Sequence, residues 1–495
     1  MIDAWQDVFR HDGVSSLFLL LATGSAGILT VYSIGQFHLF WLYWRLGRAT
    51  APAVGTTVTD PLPTVSVHIP FFNETAVVDG TIAAATALRW PLDRLRIRIL
   101  DDSTDAVTTD RIRSAVEEAR AKGFDIAMLR RPDRKGFKAG NMAHALAQED
   151  AEFIAIFDAE FRPKPEFLES VVPRFADPRI GCVQTRPWHS NRGFSWLTSA
   201  QALFHDSFFL VEQQGRHAAG CFTRFNGSGA VWRRAAIEDA GGWQTDVVSE
   251  DLDLSYRAQL KGWRIWFDID VSVPSELPLS VSDVKKQQRR WSKGRAQAIR
   301  KFMPGLTRAD IPLRVKAHAW LDLLNIFIVP AMLILSIGSV WFVFDGQHPW
   351  LPIAVPLLAL SQASAVLMPM FTLSALWHDL RDKKATILEW IRCFPSTLAL
   401  FFALAPSISA GLVSGLANRP PSFHNTAKYD MADGSSAAKR ADLRHVAWLE
   451  GVLAAYFAFA VWAGITLGVW ALLLFHSILA VGYAAVFLYS FRRFG

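Results

Sequence analysis

The stretch Phe153-Ile-Ala-Ile-Phe-Asp-Ala-Glu160 is an apolar run that ends in two acidic residues. A short apolar run bounded by charge is typical of a buried strand in a parallel sheet. Ligands of open α/β sheets bind beyond the carboxyl ends of the strands, and residues i and i+2 of a strand point the same way. Asp158 and Glu160 are therefore predicted to bind Mg²⁺ or Mn²⁺ carrying a diphosphate. Taken alone, the stretch fits an ordinary strand end with a solvated acidic turn equally well.

Strand and helix patterns alternate on both sides of this stretch, which predicts an α/β domain with a mostly parallel, Rossmann-like sheet over residues 65–300. No Gly-x-Gly-x-x-Gly follows the first strand and no phosphate-loop Gly-Lys-Ser/Thr occurs, so dinucleotide-binding and P-loop folds lose their main support. The predicted strands are Val65–Ile69, Arg96–Leu100, Asp125–Leu129, Phe153–Phe157 and Ile180–Thr185, and two of the predicted helices are Thr75–Leu88 and Asp110–Lys122.

Polar residues also follow the first two predicted strands. Asn73 and Glu74 come after the first, and Asp101 and Asp102 come after the second. Such groups accept hydrogen bonds from a nucleobase or from ribose hydroxyls, although Asn and Asp are also ordinary turn formers. Because several polar strand ends converge on one edge, the pattern favours a nucleotide pocket.

Two glycine-containing loops add candidate ligand contacts. Lys138 lies between Gly136 and Gly140, where the backbone can approach a ligand closely and the ammonium can reach a diphosphate. Asn226 opens a second small-residue turn, Asn226-Gly-Ser-Gly229, which suits a sugar-contacting loop. A basic loop that opens a helix and a plain tight turn explain these two segments about as well.

Acidic residues crowd the start of a further predicted helix, in Ser249-Glu250-Asp251-Leu-Asp253. A helix cap explains one acidic residue at a helix start, where the dipole stabilises negative charge, but not three within four residues. The cluster therefore predicts a general base.

A basic stretch follows from Lys285 to Lys301, with eight Lys or Arg residues and no acidic residue. A nucleic-acid patch is one interpretation. A helix at a membrane surface is favoured, because an apolar span follows shortly after. Within the stretch, Arg290 and Trp291 can form a platform of guanidinium for diphosphate and indole for a sugar face.

The two ends of the chain are too apolar for a wholly soluble protein. Hydrophobic residues make up 51% of the sequence and charged residues 19%. Residues 1–50 predict an N-terminal transmembrane helix, and Arg45 and Arg48 place the following domain in the cytosol. Further spans are predicted at His318–Phe344, Trp350–Trp377, Val446–Leu467 and Val469–Tyr489.

The remaining segments complete the predicted domain organisation. Residues 51–64 form a proline-containing linker, and residues 301–495 form interface helices and a membrane bundle with a polar loop at 418–445. The stretch Phe394–Leu416 contains Pro395 and Pro406 and has basic flanks, so we expect a re-entrant or interface-lying hairpin there.

These motifs, in this order, resemble the membrane-embedded family 2 glycosyltransferases, in particular the cellulose-synthase-like mannan and glucomannan synthases and, more distantly, bacterial cellulose synthase. The resemblance runs from about residue 64 to the last spans. It implies a GT-A fold in the cytosol, flanked by transmembrane helices in the inner or plasma membrane. It also implies a nucleoside-diphosphate sugar donor, a glycan acceptor, membrane lipid and accessory secretion proteins as partners, with no nucleic acid.

The resemblance also implies roles for the motif residues. Glu160, Ser249, Asn425 and Ala427 depart from the family pattern, which has Asp, Thr, Arg and Pro there. The implied roles are base and ribose binding by Asn73, Glu74, Asp101 and Asp102; donor binding by Lys138; metal and diphosphate binding by Asp158 and Glu160; catalysis by Glu250 and the base Asp251; diphosphate and acceptor binding by Gln287, Arg290 and Trp291; and gating by Phe423, Thr426 and Lys428.

Three functions remain open at this stage. The first is inverting, processive transfer of a hexose from UDP-glucose or GDP-mannose to a growing β-glycan that is also translocated. Polar residues in the spans, among them Asp322 and Asn325, are candidates for lining its exit path, although ordinary interhelical contacts explain each as well. The second is a single transfer to a lipid carrier. The third is a transporter or assembly scaffold whose globular domain only binds nucleotide.

Overall fold

The computed structural model describes residues 12–47, 61–344, 360, 363–379, 383–417 and 448–491. Its centre is a seven-stranded sheet in the order β3-β2-β1-β4-β6-β5-β7. The strands are β1 Val65–Phe71, β2 Leu95–Asp101, β3 Asp125–Leu129, β4 Phe153–Ile156, β5 Ile180–His189, β6 Ala230–Arg233 and β7 Arg264–Ser275.

The sheet is mostly parallel, as the alternating pattern predicts. β1 pairs in parallel with β2 and β4, β2 with β3, and β5 with β7. β6 runs antiparallel to both β4 and β5. All five strands predicted from the sequence are present, whereas β6 and β7 are missing from that prediction.

Helices cover both faces of the sheet, and β4 shows why its sequence is apolar throughout. Phe153, Ala155 and Phe157 join one buried cluster, while Ile154 and Ile156 join another on the opposite face. A strand buried on both faces needs apolar residues at every position. The helices of this domain are α2 Val78–Thr86, α3 Ala106–Ala121, α4 Phe137–Leu146, α5 Phe167–Val171, α6 Trp196–Ser207, α7 Gln214–Ala218, α8 Arg234–Asp239 and α9 Glu250–Leu260, with a π-helix at Phe208–Gln213 and 3₁₀ turns at Thr75–Val77 and Val172–Ala176; α1 Asp12–Leu46 precedes the domain.

Long helices follow the sheet domain. Among the described residues, four segments are long and apolar enough to cross a membrane: Ser16–Leu46, Leu313–Phe344, Thr386–Leu416 and Trp448–Thr466. The helices after the domain are α10 Val281–Arg308, α11 Leu313–Leu324, α12 Ile328–Gly338, α13 Trp341–Phe344, α14 Ala363–Asp379, α15 Lys383–Leu416, α16 Trp448–Thr466 and α17 Leu473–Tyr489, with a 3₁₀ turn at Asn325–Phe327.

The hairpin expected at Phe394–Leu416 is wrong, because α15 is one continuous helix through Pro395 and Pro406. Two shorter apolar helices, Ala365–His378 and Leu473–Tyr489, occupy part of the other predicted spans. The first half of the predicted span Trp350–Trp377, the linker up to Asp60 and the loop at 418–445 lie outside the described residues.

The end of α15 packs directly on α10, which carries the basic stretch. A Cβ at Gly411 would lie 2.5 Å from the carbonyl oxygen of Arg289, and a Cβ at Gly415 would lie 2.5 Å from that of Lys293. Arg300 of α10 donates to the carbonyl oxygen of Leu416 at 3.1 Å, which satisfies a backbone group at the end of α15. Glycine at 411 and 415 therefore lets the two helix backbones approach closely.

Candidate functional site

Lys138 lies where several candidate elements meet at the carboxyl edge of the sheet. Its Nζ donates to Asp158 Oδ1 at 2.6 Å and to the carbonyl oxygen of Gly227 at 2.8 Å. Glu250 Oε1 lies 3.5 Å from the same nitrogen. One ammonium therefore connects the end of β4, the glycine turn before β6 and the first turn of α9.

The loop before α4 explains how Lys138 reaches this point. Gly136 precedes the helix with φ of 76°, a left-handed conformation that glycine adopts readily. At Gly140, a Cβ would overlap the carbonyl oxygen of Lys135 and the Arg131 guanidinium, so the loop folds tightly against the first turn of α4. The basic loop predicted to open a helix is thus present, and it directs Lys138 into the site.

Asp158 and Glu160 follow β4 but differ in exposure. The side chain of Asp158 is 33% exposed, and its backbone N–H donates to Ser228 Oγ at 2.8 Å. Glu160 is only 9% exposed. Among the described residues, no group of three or more His, Cys, Asp or Glu forms a site for a metal ion.

This donor set fits a divalent cation that the substrate helps to bind. Mg²⁺ in phosphate-transfer sites is typically held by one or two carboxylates together with phosphate oxygens and water. Asp158 offers an accessible hard oxygen, although the Lys138 ammonium already donates to its Oδ1. Asp158 would be the principal protein ligand, with Glu160 as the second predicted one.

Glu250 and Asp251 occupy the first turn of α9, as predicted. Burial raises the pKa of both carboxyl groups, and the nearby Lys138 opposes that rise. Burial alone would lower the pKa of Lys138, but Asp158 and Glu250 outweigh it, so its pKa lies above the ordinary value. A Cβ at Gly227 would lie 3.4 Å from Asp251 Oδ2, so the absence of a side chain there keeps the space beside this carboxylate open.

The third acid of this helix start has a different environment. Asp253 is fully buried, 2.5 Å from Arg257 Nη2 and 2.6 Å from Lys301 Nζ. It ties α9 to α10. Of the three acids that the sequence groups together, Glu250 and Asp251 thus remain candidate site residues, and Asp253 connects two helices.

α10 places the predicted diphosphate and acceptor residues beside α9. A Cβ at Gly294 would overlap the Ser249 side chain, so the two helices touch at the start of α9. Arg290 is close enough to lower the pKa of Glu250 and Asp251 after the larger effects of burial and Lys138. Gln287 is half-buried on the same helix.

Trp291 is 40% exposed, and its ring centre lies 6.0 Å from that of His205. His205 Nδ1 is 3.1 Å from His189 Nε2, and His189 Nδ1 is 3.1 Å from Ser275 Oγ. Burial lowers the pKa of His205 to about 4, so the ring is neutral at pH 7. A neutral hydrogen-bonded chain therefore supports the indole, and the sequence prediction did not include it.

The polar ends of β1 and β2 bind each other and their neighbours. Asn73 has a φ of 54°, and its Oδ1 accepts from the backbone N–H of Thr104 at 2.8 Å. Asp101 is buried and accepts from Arg130 at 2.8 Å, and Asp102 pairs with Arg131 through two bonds of 2.8 and 2.6 Å. Glu74 Oε2 accepts from the Phe72 N–H at 3.4 Å. Nucleoside binding by these residues stays a prediction.

Arg130 and Arg131 are site residues that the sequence analysis missed. They directly follow β3, so the strand-end argument applied to Asp101 and Asp158 could have found them. Arg131 also donates to the carbonyl oxygens of Lys135 and Phe137, at 2.6 and 2.8 Å, and so fixes the loop that presents Lys138.

The backbone N–H of Asn226 donates to Gln184 Oε1 at 2.8 Å, and its side-chain Nδ2 donates to the carbonyl oxygen of Arg224 at 3.1 Å. These bonds shape the turn whose Gly227 accepts from Lys138. The predicted gating residues Phe423, Thr426 and Lys428 lie outside the described residues.

The chain is similar to several known proteins. A family model described as "Glycosyltransferase like family 2" matches residues 63–294. Probable glucomannan 4-beta-mannosyltransferase 11 of Oryza sativa is 38% identical over 60% of this chain and 52% of its own length. Glucomannan 4-beta-mannosyltransferase 2 of Arabidopsis thaliana is 39% identical over 50% of this chain and 47% of its own. The chain therefore spans about half the length of the curated relatives it matches.

Among solved structures, a mannosyltransferase from Pyrobaculum calidifontis in complex with GDP-Man and Mn²⁺ shares the fold. It has a TM-score of 0.51 and 20% identity, covering 81% of this chain and all of the other. The resemblance expected from the motifs is thus confirmed, as is the GT-A-like sheet. Residues 63–294 thus match the family 2 glycosyltransferase model, in a chain that resembles the glucomannan 4-β-mannosyltransferases and has long apolar helices on both sides of that segment.

Proposed function

We propose that this protein transfers mannose from GDP-mannose to a β-glycan, with inversion at the anomeric carbon. The observation that carries the proposal is the meeting of Asp158, Glu250 and Gly227 around the Lys138 ammonium, at the sheet edge where ligands of α/β folds bind. Asp251 lies beside this point. The relatives named as mannosyltransferases favour mannose over glucose as the transferred sugar.

Asp251 is the proposed general base. Its carboxylate takes the proton from the acceptor hydroxyl as that oxygen attacks the anomeric carbon from the face opposite the leaving diphosphate. An α-linked donor then gives a β-linked product in one displacement. Burial raises the pKa of this carboxyl group, which makes it a stronger base than an exposed aspartate.

Lys138 and Arg290 are proposed to stabilise the leaving diphosphate. Negative charge grows on this group as the glycosidic bond breaks, and fixed cations aimed at it lower the barrier. A bound Mg²⁺ or Mn²⁺ on Asp158 and Glu160 would supply further positive charge to the same oxygens. Trp291 offers its exposed indole to the acceptor sugar.

We further propose that the sheet domain faces the cytosol, that synthesis is processive and that the membrane helices carry the glycan outward. Arg45 ends α1, and lysine or arginine near a span favours the cytosolic side. α10 and α15 join the domain to the apolar helices, which suits a product that moves directly from site to membrane.

The test is product analysis with the full chain in lipid nanodiscs. The protein would receive Mn²⁺ or Mg²⁺ and labelled GDP-mannose or, separately, UDP-glucose. Polymer that forms from GDP-mannose and is degraded by β-mannanase supports the proposal. Polymer from UDP-glucose alone would overturn the choice of sugar, and a single sugar on extractable lipid would overturn processive synthesis. Absence of transfer from both donors would contradict the proposed reaction.

A further inference from the structure

A buried group of charged and hydroxyl side chains joins the sheet domain to the candidate span Leu313–Phe344. We call Arg216, Arg224, Tyr256 and Asp322 the interface cluster. Asp322 Oδ1 lies 3.3 Å from Arg224 Nη2 and 3.6 Å from Arg216 Nη2, and the Tyr256 hydroxyl donates to Asp322 Oδ2 at 2.9 Å. All four residues are at most 9% exposed.

Further contacts surround this cluster. Arg216 donates to Glu212 Oε1 at 2.7 Å and to the carbonyl oxygen of His318 at 3.1 Å. Arg295 of α10 donates to Asn325 Oδ1. Asp322 and Asn325, two of the polar span residues considered for an exit path, thus pair with the sheet domain and with α10, as ordinary contacts between elements.

The cluster leads to the proposed base by two routes. Tyr256 lies on α9, five residues after Asp251. Arg224 comes directly before Phe225, whose N–H donates to Ser255 Oγ at 2.9 Å, and the Ser255 hydroxyl in turn donates to the carbonyl oxygen of Asp251 at 2.6 Å. Both routes end at the first turn of α9.

Burial makes this arrangement hard to change. A displacement of α11 relative to α9 would leave Asp322 or an arginine without its opposite charge in a medium of low dielectric constant, where unpaired charge is costly. One relative position of α9 and α11 is thereby favoured over its neighbours.

We propose that Asp322 is a positioning residue that acts through Tyr256 and Arg224 to fix the position of Asp251 relative to the membrane helices. This inference rests on the proposed function. A glycan acceptor held among the membrane helices would then meet the base at a constant distance. Small misplacement of reacting groups is enough to lower the rate strongly.

The experiment compares Tyr256→Phe and Asp322→Asn with the wild type in nanodiscs. Tyr256→Phe removes one hydroxyl without changing volume, so it decides the question if Asp322→Asn does not fold. Ser33→Ala is the matched control, because Ser33 is a buried polar residue of α1 whose hydroxyl donates within its own helix, to the carbonyl oxygen of Leu29. We expect kcat for transfer to fall about tenfold to a hundredfold in both cluster variants. The Kd for GDP-mannose should stay unchanged, and Ser33→Ala should behave as the wild type.

Two further measurements separate positioning from general damage. The double variant should be no slower than Asp322→Asn alone, because Asp322→Asn already weakens the contact that Tyr256→Phe removes. Amide hydrogen exchange at residues 250–255 should rise in Tyr256→Phe and not in Ser33→Ala, a readout that needs no transfer activity.

Unchanged kcat or unchanged exchange in Tyr256→Phe would overturn the inference and leave the proposed function intact. Parallel loss of donor binding and thermal stability would equally overturn it, in favour of a purely structural role. If the wild type transfers no sugar from either donor, the proposed function fails, and the exchange result still decides whether the cluster holds α9 in place.

Discussion

Asp251 and Asp253 lie two residues apart in the first turn of α9, but they face different regions of the molecule. Asp251 is half-buried beside the Gly227 turn. Asp253 is fully buried between Arg257 and Lys301. The difference teaches that one helix start holds carboxylates in two environments: the proposed base beside a glycine turn, and a carboxylate between two fixed cations that ties α9 to α10.

The largest expected effect comes from replacing Asp251, the proposed base. Asp251→Asn keeps the shape of the side chain but cannot accept the acceptor proton, so transfer should fall by about 10²- to 10⁴-fold. Initial rates with labelled GDP-mannose would measure the loss, and equilibrium binding of GDP-mannose should remain nearly unchanged. Full activity in this variant would remove Asp251 from the role of base.

Asp253→Asn should damage stability instead. Removing one partner of a buried ion pair leaves uncompensated charge and typically costs about 3–5 kcal/mol. The measurement is the free energy of unfolding of the chain in detergent micelles. Asp246→Asn is the matched control, because Asp246 also pairs with Lys301, at 2.8 Å, but its side chain is 59% exposed. A surface pair of that kind contributes about 0–1 kcal/mol. Equal losses of unfolding free energy in the two variants would show that the buried pair of Asp253 contributes no more to stability than the exposed pair of Asp246.

Lys138→Met sharpens the comparison because it removes the cation that lies between Asp158 and Glu250, next to Asp251. Each hydrogen bond to a charged group contributes about 1.5–3 kcal/mol, so kcat/KM for the donor should fall about 10- to 100-fold. Lys135→Met is the control, since Lys135 lies exposed in the same loop. Equal kcat/KM values in the two variants would show that Lys138 does not contact the donor.

The smallest expected effect is a pH-dependent gain in stability. Burial raises the pKa of Asp251 in the folded protein above its unfolded value. The folded state then holds the proton more tightly, so stability is greatest below the ordinary carboxyl pKa and is lost as pH rises through the raised pKa. A tenfold change in the acid dissociation constant corresponds to about 1.4 kcal/mol.

Asp251→Asn should therefore be more stable than the wild type at pH 7, and the difference should disappear as the pH is lowered toward 4. Thermal unfolding across this pH range would measure it. A difference that does not change with pH would show that ionisation of Asp251 does not limit stability.

The parallel half of the sheet could be predicted from the sequence, whereas β6 and β7 could not. β1 and β2 alternate apolar with polar residues, β4 is a short apolar run, and Asp125–Leu129 was predicted with its observed bounds. β6 has only four residues and is held by antiparallel pairing with β4 and β5, which are distant in sequence. β7 contains Asp268 and Asp270, which interrupt its apolar pattern.

The rule that ligands bind at strand ends predicted that the candidate site residues lie at one edge of the sheet. It did not predict which of them contact each other. Asp158, Lys138 and Glu250 were each predicted from local motifs. That one ammonium connects them depends on the left-handed turn at Gly136 and on the position of α9 against the sheet. Asp322 was considered as a residue of an exit path because a charge in an apolar span stands out. Its arginine partners come from a loop and a helix about 100 residues earlier, which no local pattern reveals.

The distance between α10 and the start of α9 depends on the absence of a side chain at Gly294. Gly294 is the point where α10, with Arg290 and Trp291, touches the start of α9, with Asp251. A methyl group at this position would push apart α10 and the start of α9, which carry the proposed diphosphate and acceptor residues and the proposed base. A graded series of alanine, serine and valine at 294 would therefore change the gap between them stepwise without altering any reacting group. Such a series would therefore be a way to adjust the α9–α10 distance and, with it, the size of the acceptor sugar that fits.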